Sequence, residues 1–187
     1  MRDGFVKVGA ATPDILVADC VHNREEIVKK VKEMAEAGTK VMAFPELCIT
    51  GYTCSDLFWQ ELLLVRAKEE LHKLEEELEE VEGLIIVGLP LEFNQKLYNT
   101  AAVISGGKVL GFVPKHHLPN YAEFYEARHF TAGCAFEGMV NWYGREVPFG
   151  QNLLFVCEEL PQLVTAVEVC EDLWAPNPPS ISPVSYT

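Results

Sequence analysis

Basic charge is scarce in this sequence: 15 Lys and Arg stand against 28 Asp and Glu, a formal net charge of −13. Nucleic acid and anionic membrane surfaces both need a basic face, so the balance argues against either as a partner. Long apolar runs are absent as well. None approaches the roughly 18 residues that span a bilayer. Met1–Ala11 carries Arg2, Asp3 and Lys7 and has no continuous apolar stretch of the kind a secretion signal needs. The six cysteines (Cys20, Cys48, Cys54, Cys134, Cys157 and Cys170) include no C-x-x-C pair, which argues against zinc and against a disulfide framework. Free thiols in a reducing cytoplasm are the expectation, most of them buried or inert. No internal repeat and no pyrophosphatase-type glycine-rich nucleotide loop is visible.

What is present fits one globular domain, or most of one: 187 residues, about half of them hydrophobic. The excess acid is concentrated between Glu69 and Glu82, which reads as a solvated helix face. Phe5–Ala10 reads as a strand. Asn23 with Glu26 three residues on reads as a capping box, followed by Ile27, Val28, Val31, Met34 and Ala35 at helical spacing and by Gly38 as a stop. Lys40–Phe44 is a second strand, and strand–helix–strand over this length predicts a parallel pair. Ser55 is placed to cap the next segment, and Leu64, Ala67, Leu71, Leu74, Leu78 and Val81 form one apolar seam along a helix over Leu62–Val81. Leu84–Leu91 predicts a strand buried on both faces. Leu97–Ile104 and Lys108–Val113 flank Ser105-Gly106-Gly107, a hairpin signal. Phe124–His129 predicts a short helix, Thr131–Gln151 gives no assignment, and Leu153–Val156 and Leu163–Val169 predict two more strands. The class is α/β, with strands of both orientations and helices outside.

Three reactive side chains follow predicted strands. Cys170 comes after Leu163–Val169, Glu46 after the second strand and Pro45, and Lys115 after the second hairpin strand and Pro114. In α/β proteins sites gather at the carboxyl ends of strands. Singly, each has an ordinary reading: a packed cysteine, a loop carboxylate, a surface lysine. Together they answer a chemical need. Glu171 and Asp172 beside Cys170 disfavour a thiolate, so a nucleophile here requires a base to take its proton and a cation to hold the charge.

The strings Phe44-Pro45-Glu46-Leu47 with Thr50-Gly51-Tyr52, then Pro114-Lys115-His116-His117-Leu118-Pro119-Asn120-Tyr121, then Val169-Cys170-Glu171-Asp172-Leu173-Trp174 resemble the three signature blocks of the nitrilase (carbon–nitrogen hydrolase) superfamily. The resemblance runs from Val6 to Pro179. Asp56-Leu57-Phe58, the run from Glu123 to Phe130 and the Glu-Asp after Cys170 narrow it to the N-terminal glutaminase domains of glutamine-dependent NAD synthetases. The resemblance implies a nitrilase-like four-layer α-β-β-α sandwich with mixed sheets. Residues 1–187 would form a carbon–nitrogen hydrolase (glutaminase) domain lacking the C-terminal part of that fold, with no synthetase domain.

It also implies roles. Cys170 attacks the amide carbon, Glu46 is the general base, Lys115 stabilises the oxyanion and Glu126 orients the lysine. Tyr52, Tyr121, Phe124, Glu171 and Trp174 surround the substrate, although Phe124 reads equally well as plain core. The implied partners are glutamine, a C-terminal NAD synthetase domain and further copies in a homo-oligomer. The ammonia would serve NAD biosynthesis. The glutaminase reaction needs no cofactor or metal; ATP and magnesium belong to the absent synthetase domain. A stand-alone amidase acting on another small amide, and a non-catalytic fragment, are the competing readings.

Overall fold

The computed structural model describes residues 4–136 and 138–184. The ends of the segments Met1–Ala11 and Ser180–Thr187 therefore lie outside the described residues. The first ninety residues fold as their alternating pattern requires. Strand β1 (Val8–Ala10) pairs parallel with β2 (Val41–Ala43), and β2 pairs parallel with β3 (Leu84–Phe93). Helices α1 (Cys20–Glu36) and α2 (Glu61–Glu77) make the crossovers that parallel neighbours need. Ile27, Val28 and Val31 of α1 and Leu63, Ala67, Leu71 and Leu74 of α2 are buried in one core with the sheet.

Two helix starts differ from expectation. The cap of α1 is Asp19, whose side chain accepts from the His22 N–H. Asn23 lies inside the helix and fully buried; its amide holds Leu16 at both N and O and donates to Ile49 O at 3.0 Å. Three main-chain groups, that of Ile49 buried, take up that amide, and they outrank capping. Ser55 caps nothing: it opens a 3₁₀ turn over Ser55–Trp59, and α2 begins at Glu61. The stop at Gly38 is as expected, with φ of +81°.

Strands β4 (Lys96–Ser105) and β5 (Lys108–Pro114) form the expected hairpin, turning at Gly106 and Gly107 with φ of +53° and +67°. The unassigned stretch holds a second hairpin, β6 (Gly138–Trp142) with β7 (Arg145–Phe149), and β7 joins β5 in parallel. The sheet order is β1-β2-β3-β4-β5-β7-β6. The last two expected strands shrink to β8 (Phe155–Val156) and β9 (Val164–Thr165), paired antiparallel. Beyond Thr165, Val167 and Val169 pack against Ala101, Val103 and Val113 on the second face of the sheet. Apolarity there marks burial of side chains, not a backbone ladder. Short helices α3 (Glu126–His129), α4 (Glu171–Trp174) and α5 (Ile181–Val184) complete the described elements. The result is a mixed α/β fold. Of the four expected layers, the described residues hold one helix layer, the seven-stranded sheet and two short strands across its far face. No helix among the described residues is long and apolar enough to cross a membrane.

The acidic run is not uniformly solvated. Glu70 and Glu75 turn inward. Glu70 accepts from Arg24 Nε and Lys73 Nζ, both at 2.7 Å. Glu75 accepts from Trp142 Nε1 and Val109 N at 2.6 Å and from Arg145 Nη2 at 2.5 Å, so it ties α2 to β5 and to the second hairpin.

Candidate active site

The site forms at the end of the sheet where β2 and β5 finish. Glu46 follows β2 in a turn that lies directly on the backbone of β3. A Cβ added to Gly88 would fall 2.2 Å from Leu47 N and 2.8 Å from Glu46 C, so only glycine permits the approach. Lys115 follows β5, its N–H donating to Asn99 O at 2.8 Å. Because β4 runs antiparallel to β3 and β5, its early residue Asn99 arrives at this same end.

The side chains then converge on one buried ammonium. Lys115 Nζ, fully buried, donates to Glu46 Oε1 at 2.6 Å and Glu126 Oε1 at 2.7 Å. Asn99 Nδ2 donates to Glu46 Oε1 at 2.6 Å and Glu126 Oε2 at 3.3 Å, and Tyr52 OH donates to Glu126 Oε1 at 2.7 Å. Burial pulls the Lys115 pKa down, but Glu46 and Glu126 outweigh it and the net direction is up. Lys115 therefore stays charged. Burial, helped by the charge of Glu46, pushes the Glu126 carboxyl up against the opposing pull of Lys115 and Tyr52. Burial and then Glu126 push the Tyr52 hydroxyl up, so it remains a donor.

Cys170 sits at the start of α4 with φ of +50° and ψ of −102°, a conformation that costs an L-residue about 1–3 kcal/mol and presents its side chain at a sharp elbow. The residue as a whole is exposed, yet its thiol is partly desolvated. That desolvation, followed by the charge of Glu46, raises the thiol pKa, and Lys115 opposes the rise. A cavity of about 480 Å³ is bounded by Glu46, Gly88, Thr100, Val167 and Cys170 among others. That is room enough for a small amide.

The structure thus brings together Glu46, Lys115, Glu126, Tyr52 and Cys170. A second group lies toward solvent. Tyr121 OH donates to both carboxylate oxygens of Glu171 at 3.1 Å, and the Phe124 ring meets Tyr52 and Tyr121 edge-on. Trp174 is not gathered in; it is 74% exposed. Among the described residues no cluster of three or more His, Cys, Asp or Glu is placed to hold a metal ion.

Two residues were missed by the sequence reading. Asn99 bridges the two carboxylates; its signal was an amide side chain inside a mostly apolar strand. Asp172 is buried and accepts from three main-chain N–H groups. It stood in the open beside Cys170, grouped there only as an acidic neighbour.

Comparison with known proteins gives the family and the fold. Residues 7–181 match the carbon–nitrogen hydrolase family. The chain is 38% identical over 179 residues to the glutamine-dependent NAD(+) synthetase of Mycobacterium tuberculosis, covering 96% of this chain and 26% of that protein. It therefore spans about a quarter of the length of the curated relatives it matches. Among solved structures, a glutamine-dependent NAD(+) synthetase from Cytophaga hutchinsonii superposes with a TM-score of 0.81 at 27% identity, over 89% of this chain and 28% of that one. An amidase from Nesterenkonia sp. shares the fold at a TM-score of 0.61 and 21% identity, over 79% of this chain and 56% of its own.

Proposed function

The chain belongs to the carbon–nitrogen hydrolase family, and from that membership we infer that it hydrolyses the side-chain amide of glutamine to glutamate and ammonia. The observation that carries the reading is the Lys115 ammonium held between Glu46 and Glu126, with Glu46 and Cys170 bordering one cavity. The glutamine preference rests on the likeness to the synthetases.

The chemistry follows from the charges. Glu46 takes the thiol proton as Sγ attacks the amide carbon, so no free thiolate has to build up beside carboxylates. Negative charge moves to the carbonyl oxygen, where the Lys115 ammonium and nearby donors stabilise it. Glu46 returns the proton to the amide nitrogen, the C–N bond breaks and ammonia leaves, with a thioester on Cys170. Water then gives a proton to Glu46 and adds to the thioester. Collapse expels the sulfur, which recovers the proton, and glutamate departs. Glu126 and Asn99 hold Lys115 and Glu46 in place, while Tyr121, Phe124 and Glu171 are available to the amino-acid end of the substrate.

With this reading come a C-terminal synthetase domain that consumes the ammonia using ATP and magnesium, a homo-oligomeric assembly, and a reducing cytoplasm that keeps Cys170 as a thiol. Ammonia release from glutamine, set against a panel of aliphatic amides and nitriles, is the test. A preference for glutamine of tenfold or more in kcat/KM is expected. No preference overturns the glutaminase reading in favour of an amidase for another small amide.

A further inference from the structure

Asp172 lies two residues beyond Cys170, is 1% exposed, and does not line the cavity. Its Oδ1 accepts from His117 N at 2.7 Å and from His116 N at 3.1 Å; its Oδ2 accepts from His116 N and Val169 N, both at 3.3 Å. His116 and His117 directly follow Lys115, and Val169 directly precedes Cys170. One carboxylate therefore ties the main chain beside the cation to the main chain beside the thiol, two stretches more than fifty residues apart. The elbow it grips is the strained one. Cys170 has φ of +50°, and such a conformation persists only where the surroundings over-determine it. Around it, Asp172 N donates to Val169 O and Leu173 N to Cys170 O, each at 3.1 Å.

Resting on the reading of Cys170 as nucleophile, we propose that Asp172 is a positioning residue that fixes the Cys170 thiol relative to Lys115 and Glu46. Three N–H donors converge on two oxygens, an arrangement only a carboxylate satisfies. An asparagine offers one acceptor oxygen and turns an NH₂ group toward an N–H. With the grip gone, the elbow relaxes and the thiol leaves its place between base and cation.

The test uses acrylamide, an amide whose β-carbon accepts a thiol while the thiol proton passes to the α-carbon. Rates are followed site by site by peptide mass spectrometry on the 187-residue chain. In the unaltered protein, labelling of Cys170 saturates with acrylamide concentration. The exposed Cys134 is labelled in simple proportion to concentration, and the buried Cys20, Cys48 and Cys54 stay unlabelled. If Cys170 shows no saturation, the nucleophile reading fails and Asp172's role falls with it. If it does, Asp172→Asn should lower the saturating rate at Cys170 at least tenfold, with the half-saturating concentration within threefold and the buried cysteines still silent. An unchanged rate, or a smaller labelled fraction reacting at the unaltered rate, overturns the proposal; the latter is what a merely structural residue gives. Should Asp172→Asn expose the buried cysteines, Asp172→Glu keeps the charge but displaces it by one methylene. It is read the same way: tenfold slower supports the proposal, and an unchanged rate overturns it.

Discussion

Replacing Glu75 by alanine removes the carboxylate on which α2, β5 and the β6–β7 hairpin meet. Two of its donors, Trp142 Nε1 and Val109 N, are buried and have no route to water. Each costs about 1–3 kcal/mol when left unpaired. Arg145, its charge partner, is about a third exposed and can resolvate, so it adds little. Removing the carboxylate also ends its own desolvation cost, which offsets part of the loss. The net expectation is about 3–5 kcal/mol, a large part of the roughly 5–15 kcal/mol that holds a domain together. Urea unfolding of Glu75→Ala beside Glu76→Ala measures it, because Glu76 is exposed on the same helix and should change stability by no more than about 0.5 kcal/mol. The pH dependence has a definite sign. Burial pushes the Glu75 carboxyl up, but Trp142, Val109, His72 and Arg145 outweigh it and the net direction is down. Its contribution is therefore full above the unfolded carboxyl pKa and is lost as pH falls through the lower, folded value, so the gap between the two proteins should narrow in acid. A loss below about 1 kcal/mol at neutral pH, indistinguishable from Glu76→Ala, would refute the reasoning and return the acidic run to a solvated face.

Lys115→Ala leaves Glu46 and Glu126 without their shared cation, and glutamine hydrolysis should fall by roughly 10²–10³-fold, read as ammonia release. Gly88→Ala drives a methyl group into residues 45–47; activity should be lost, with destabilisation of about 1–3 kcal/mol by urea titration. Glu46→Gln separates two properties of the thiol. It abolishes hydrolysis while shifting the pH midpoint of Cys170 alkylation downward, because the charge that helps raise the thiol pKa is gone.

The three residues proposed for catalysis could be singled out because strands announce their ends. Pro45 and Pro114 close apolar runs, and Glu46 and Lys115 come directly after them. Cys170 was singled out by a rule applied to the wrong element, since β9 is two residues long and the thiol is carried by an elbow instead. Nothing in a sequence marks a cysteine for positive φ. The hidden role of Glu75 traces to the β6–β7 hairpin. Val140, Trp142, Val147 and Phe149 alternate inward, but the turn at Tyr143-Gly144, with φ of +47° and +82°, lacks the usual Asn-Gly signature, and Pro148 blurs the second strand. Without that hairpin, Trp142 and Arg145 could not be placed, and Glu75 had no visible reason to be buried. Asn23 failed in the same way, because its partners Leu16 and Ile49 belong to loops whose course only the fold fixes.

On the proposed reading, burial and then Glu46 raise the pKa of the very thiol that Glu46 is to activate, and this is consistent with catalysis once timing is considered. A resting thiolate at Cys170 would add a further negative charge beside Glu46 and Glu126, with one ammonium among them. A neutral thiol beside the Glu46 carboxylate keeps that balance until an amide carbonyl arrives. In the proposed reaction, proton transfer and attack then occur together, and the new negative charge appears on the carbonyl oxygen rather than on sulfur, where Lys115 can meet it. The ammonium is already held by two carboxylates and an asparagine-bridged frame, so it need not reorganise when that charge develops. The same frame holds Glu46 where it can receive the proton and return it to the departing nitrogen. The raised thiol pKa then restrains reaction with passing electrophiles and leaves the nucleophile dependent on a bound amide.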